Sequence, residues 1–186
     1  VLMPKVLYYG ERDRVWSAGA RYRRFPPAIV MRGRNRPSGG ARDVPTDLDY
    51  APSCGLLISR QAFSRAGLFD DGYFFYFDDW DFSVRVREAG LRIRYVPEAS
   101  FLHKVSRTIG NRGRRPFFWR TWGESGARFY RRFGRPVWFS ALTNLGYLVI
   151  REGLGSPLGA FYLLQGIAVG FRKPLVLPPM LPERWT

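Results

Sequence analysis

The sequence predicts an α/β domain over residues 1–111 followed by a helical appendage over residues 112–186. Three observations carry this division. Short strand-like runs alternate with short helix-like segments as far as His103, the pattern of βα units. Beyond Asn111, arginines and aromatics crowd together: Arg112, Arg114, Arg115, Arg120, Arg128, Arg131, Arg132 and Arg135 are interleaved with Phe117, Phe118, Trp119, Trp122, Phe129 and Tyr130. Two segments without charge then follow, residues 136–150 and 153–171, and they read as helices lying on a surface, with a membrane span as the lesser alternative and a helical appendage packed against the domain as the plainer one.

Each element of the first part has a local reason. Residues 6–9 and 15–17 read as strands around a charged turn. Residues 21–47 hold Pro26, Pro27, Gly33, Pro37, Gly39 and Gly40 without apolar periodicity, which predicts a long basic loop. Leu56 to Ile58 form the apolar centre of a strand. Ser59 can cap a short helix that ends at Gly67. The five aromatics from Tyr73 to Phe77 place bulk on both faces, as in a buried strand or a tight loop. Asp78 can cap the next helix, on which Phe82, Val86 and Ala89 share a face. Asp81 and Arg85 stand at the i,i+4 spacing of an ion pair. Gly90 ends that helix, LRIRYVP alternates as a strand, and residues 100–103 make another short extended piece.

The composition, 46% hydrophobic and 17% aromatic, is that of a folded protein with a real core. A formal charge of +15 and a pI near 10.8 call for an anionic partner: nucleic acid, acidic lipid or a phosphorylated ligand. All but three of the thirty basic residues are arginine, the side chain suited to bidentate phosphate binding. Cys54 is the only cysteine. This excludes an intrachain disulfide and a cysteine-rich zinc site, and a reducing compartment is compatible with it. The chain opens in strand-like sequence with no secretory leader, which suggests that something preceded it.

The most unusual local feature is acidic. Five of the fifteen acidic residues fall within residues 70–81, in FDDGYFFYFDDWDF. Carboxylates this close raise one another's pKa unless a metal ion, a cation or water offsets the repulsion.

In order and spacing, Cys54-Gly55-Leu56-Leu57-Ile58-Ser59-Arg60, Gly67-Leu68-Phe69-Asp70, the aromatic run, Asp78-Asp79-Trp80-Asp81, Arg85, Gly90, Tyr95-Val96-Pro97 and His103-Lys104-Val105-Ser106 form one pattern. That pattern resembles the C-terminal half of the catalytic domain in family 2 glycosyltransferases, and best the rhamnosyltransferase-like bacterial members. PKVLYYG and VWSAG fit the same alignment, so the resemblance covers roughly residues 1–110. It implies a partial GT-A domain, Rossmann-like, of the kind that binds nucleotide-diphospho-sugars. Asp78 departs from the pattern, standing where the family has Glu. The half that carries the metal-binding Asp-x-Asp is missing. Asp47-Leu48-Asp49 has those letters on the wrong side of the match and is a decoy. The chain is therefore expected to be a fragment, inactive alone.

The resemblance further implies an inverting transfer from a UDP-, dTDP- or GDP-linked sugar to a hydroxyl of a glycan or lipid-linked acceptor in cell-surface polysaccharide synthesis. Asp79 would be the catalytic base, its pKa raised by apolar walls and by its acidic neighbours. Asp78, Trp80, Asp81, Gly55 and Arg85 would line the acceptor pocket, although Asp81 and Arg85 also make sense as a structural ion pair. Trp80 could stack on the apolar face of a sugar. Ser106, Arg107 and Thr108, in a basic loop, could contact the donor diphosphate through hydroxyl and guanidinium groups, or form a solvated polar turn. His103 would bind Mg2+ or Mn2+, against the plainer reading of a lone structural histidine. The basic, aromatic tail suits a peripheral position on the anionic inner face of the cell membrane. Two alternatives remain open: a noncatalytic remnant of such an enzyme, or an Arg-rich nucleic-acid-binding module. The acidic cluster and the absence of a recognised nucleic-acid motif argue against the second.

Overall fold

In the computed structural model, residues 1–23, 28–40, 43–105, 115–133, 146 and 157–182 are described. The fold is mixed α/β with a helical C-terminal part. The chain gathers into two compact units: Val1–Phe69 with Asp79–Arg107 and Pro179–Thr186, and Asp70–Asp78 with Thr108–Pro178.

The first unit is built on a four-stranded sheet. Strand β1 (Leu2–Tyr8) lies between β2 (Val15–Ser17), antiparallel to it, and β6 (Ile93–His103), parallel to it. Strand β5 (Thr46–Leu48) pairs antiparallel on the far side of β6. Met3 and Val6 of β1 and Ile93 and Tyr95 of β6 are almost fully buried, as expected of strands in the middle of a sheet. The two extended pieces expected around residue 97 are a single strand. Its register against β1 jumps from Pro4↔Val96 to Lys5↔Ser100. Pro97, which has no N–H to give, falls in the bulge.

Residues 21–47 are not the single loop expected. Strands β3 (Ala20–Arg23) and β4 (Ala28–Met31) pair as a hairpin, and β5 follows. Tyr22, Ile29 and Val30 are good strand formers, and the surrounding Pro, Gly and Arg obscured them. The strand expected at Leu56–Ile58 is absent. That segment makes one isolated bridge, Leu2↔Leu57, and Leu57 points outward, 68% exposed.

The two helices of this unit fall close to their predicted places. In α1 (Arg60–Ala66), the Ser59 hydroxyl accepts from the Ala62 N–H, and Gly67 closes the helix at φ 75° with its N–H bonded to the Phe63 carbonyl. Helix α2 (Asp78–Glu88) starts on Asp78 itself, one residue earlier than a cap at that position would require. Phe82 and Val86 enter the core as expected, and Phe82 stacks on Phe69 with centroids 4.5 Å apart.

In the second unit, α3 (Arg115–Arg132) and α4 (Pro157–Arg172) pack side by side, running in the same direction. Glycine allows the close approach. A Cβ on Gly166 would fall 1.9 Å from the Arg120 carbonyl oxygen, and one on Gly123 would fall 2.3 Å from that of Leu163. Trp119, Ala127, Leu163 and Ile167 form the core of the pair. The aromatic run is a tight loop, with Tyr76 and Phe77 consecutively left-handed (φ 64° and 65°). Phe77 is buried against Trp122 and Phe129 of α3, and the Ser125 hydroxyl donates to the Phe75 carbonyl over 2.8 Å. Asp70 is buried and ion-paired with Arg128 (3.1 Å) and Arg132 (2.7 Å).

Candidate functional site

Asp79 lies in the first turn of α2, where a carboxylate is favoured by the positive end of the helix dipole. It is half-buried. Two donors meet its Oδ2: the Tyr50 hydroxyl at 3.0 Å and the Ser53 backbone N–H at 3.2 Å. Trp80 stands edge-on to the Tyr50 ring with centroids 5.3 Å apart. Burial, together with the Asp79 charge, holds the Tyr50 phenol well above the ordinary tyrosine value of 10. The phenol therefore keeps its proton at physiological pH and remains the donor, leaving Asp79 as the acceptor.

The loop before α1 completes the surroundings. Cys54 is exposed as a residue, yet its thiol is sheltered enough that burial and the nearby Asp79 charge push its pKa up to about 12. Gly55 lets the loop approach closely, because a Cβ there would lie 2.4 Å from the Phe101 ring and push it aside. The loop that donates to Asp79 is thus pressed onto β6. His103 follows Phe101 by two residues and shares its side of that strand.

His103 ends β6, half-buried, with its ring 4.7 Å from that of Trp16. Burial lowers its pKa below the usual 6.5, so the imidazole is neutral at pH 7. The Trp16 indole N–H beside it is buried without a protein acceptor. As a metal ligand His103 has little support nearby. Among the described residues, no group of three His, Cys, Asp or Glu is placed to hold an ion. The described residues alone do not supply a complete set of Mg2+ or Mn2+ ligands. Asp47 pairs with Arg94 at 3.3 Å and Asp49 with Arg87 at 3.0 Å, so both carboxylates of the decoy motif are engaged by arginine.

Asp81 is fully buried and bound to Arg85 Nε at 2.6 Å. The rest of that guanidinium donates to the carbonyls of Ala66 and Leu68. This pair ties the end of α1 to α2 and faces the interior. Asp78 opens the same helix, half-buried. The expected diphosphate contacts Ser106, Arg107 and Thr108 lie outside the described residues. A shallow cavity of about 300 Å³ lies elsewhere, lined by Arg21, Asp47, Asp49, Arg87 and Arg92 among others, and Asp79 is not part of it. Sequence reasoning missed Tyr50, Ser53 and Trp16. Tyr50 and Ser53 lie more than twenty residues from Asp79 in sequence, and no spacing rule connects them to it.

With this geometry in view, the comparisons with known proteins are informative over a limited stretch. The chain is 43% identical over 58 residues to N-acetylglucosaminyl-diphospho-decaprenol L-rhamnosyltransferase of Mycobacterium tuberculosis. That match covers 31% of this chain and 19% of the relative. It is 36% identical, also over 58 residues, to rhamnosyltransferase WbbL of Escherichia coli K12, covering 31% of this chain and 22% of the relative. The matched stretch is thus about a fifth of the length of each relative. No family profile and no solved structure matches the chain.

Proposed function

We propose that this chain carries the acceptor-activating part of an inverting glycosyltransferase of family 2. The reaction moves a sugar, rhamnose by analogy with the relatives' names, from a nucleotide-linked donor to a hydroxyl of a lipid-linked glycan in cell-surface polysaccharide synthesis. The observation that carries the reading is the Asp79 carboxylate, aimed by the Tyr50 hydroxyl and the Ser53 N–H at the start of α2. In the transfer step the acceptor hydroxyl gives its proton to Asp79 while its oxygen bonds to the anomeric carbon from the face opposite the leaving group. The bond from that carbon to the diphosphate oxygen breaks, and the diphosphate leaves with the electron pair.

Trp80 would offer a flat apolar surface to the acceptor sugar. No step is routed through a metal, because the described residues do not assemble its ligands.

The test is a turnover assay, on an enzyme in which this chain is joined to a donor-binding half, with nucleotide-activated sugars and a lipid-linked acceptor. General-base catalysis contributes ~10²–10⁴-fold, so Asp79→Asn is expected to raise the barrier by about 3–5 kcal/mol. Wild-type turnover in that variant would remove the assignment. Salt-sensitive nucleic-acid binding without sugar transfer would favour the Arg-rich binding module instead.

A further inference from the structure

Helix α4 has two opposite faces. At about 100° per residue, Gly159, Leu163, Gly166, Ile167 and Gly170 fall on one side, and these are its buried residues. Leu158, Phe161, Leu164, Gln165, Ala168 and Arg172 fall on the other, and all are exposed. Leu158, Phe161 and Leu164 are 60%, 59% and 50% exposed. Three large apolar side chains exposed along one helix face are the kind of surface that marks an interaction site. Past the helix, Leu175, Val176 and Leu177 are exposed as well.

The charge around this face selects its partner. Residues 157–182 contain no Asp or Glu, and the apolar face ends at the exposed Arg172, while Lys173 turns toward α3 and pairs with Glu124. A second copy of the chain would bring another +15 against the first. No helix among the described residues is long and apolar enough to cross a bilayer. An apolar ridge ending in a cation on a strongly basic chain matches the interface of an anionic membrane. There the side chains enter the acyl boundary while Arg172 meets the headgroups.

We infer that the outer face of α4, Leu158–Phe161–Leu164–Ala168 ending in Arg172, seats this protein on an anionic lipid bilayer with the helix in the membrane plane. The glycine face is committed to α3, so the helix has no second apolar face with which to insert more deeply. The inference identifies a surface and does not depend on the transfer reaction, since vesicle binding is read without turnover.

The experiment is flotation of the full chain with vesicles of phosphatidylcholine containing phosphatidylglycerol, and with vesicles of phosphatidylcholine alone. Flotation with the anionic vesicles, falling as salt rises, is expected. Phe161→Ser combined with Leu164→Ser should reduce binding at least tenfold with an unchanged circular dichroism spectrum. At the exposed Gln165, Gln165→Glu should weaken binding and Gln165→Lys should preserve or strengthen it, neither altering the fold. The proposal fails if the wild-type chain stays unbound at moderate salt. It fails if the double variant or Gln165→Glu floats as the wild type does. It also fails if lipid-free light scattering shows a dimer that the double variant dissolves while vesicles bind neither protein.

Discussion

At the scale of single residues, Asp79 is defined by the groups that hold it. Tyr50 donates to the same oxygen as Ser53, so removing the hydroxyl should let the carboxylate turn without removing the base. A hydrogen bond to a charged group contributes about 1.5–3 kcal/mol. Tyr50→Phe should therefore slow turnover by roughly tenfold to a hundredfold, less than Asp79→Asn, and steady-state kinetics on the two variants will rank them. His103 gives a pH signature. Its folded pKa lies below 6.5 because burial disfavours the imidazolium, so the unfolded chain binds the extra proton first. Its stability contribution is complete above pH 6.5 and is lost as pH falls from there through the folded value. The imidazole proton shifts in NMR should show a midpoint below 6.5. The Asp81–Arg85 pair was legible from sequence because its partners sit one helical turn apart. The Tyr50–Asp79 bond was not, because it is made only when a loop and a helix distant in sequence are brought together by the sheet.

At the scale of elements, local chemistry was readable wherever the chain itself carries the signal. Ser59 and Gly67 bracket α1 as a cap and a left-handed stop should. The β3–β4 hairpin and the irregular course of residues 56–58 were not readable, because pairing with a remote partner decides them and local propensity does not. The α3–α4 contact is of the same kind. The glycines of α4 weaken an isolated helix, and their purpose shows only when another backbone lies against them. Gly166→Ala should place a methyl group 1.9 Å from the Arg120 carbonyl oxygen. Overpacking of this sort costs about 1–3 kcal/mol, which differential scanning calorimetry will register as a lower melting temperature. The aromatic loop is fixed in a comparable way. Tyr76 and Phe77 hold unfavourable left-handed backbone, and ring contacts with Trp122, Phe118 and Phe129 offset the strain.

At the scale of the whole molecule, the α/β class followed from strand–helix alternation, and the ordered string of motifs pointed to transferases before any geometry was seen. The excess of arginine was informative about partners in general and silent about which face would meet them. That required the exposure pattern of α4, which depends on where α3 lies. One further property belongs to the entire chain: among 186 residues there is a single sulfhydryl, and it stands beside the candidate base. With its pKa near 12, burial and the Asp79 charge together suppress the thiolate, so maleimide should label Cys54 slowly despite its surface position. Asp79→Asn removes the electrostatic part of that suppression and should quicken labelling, measured as one mass increment per chain. The protein thus contains its own voltmeter for the carboxylate, readable with no sugar, nucleotide or acceptor in the tube.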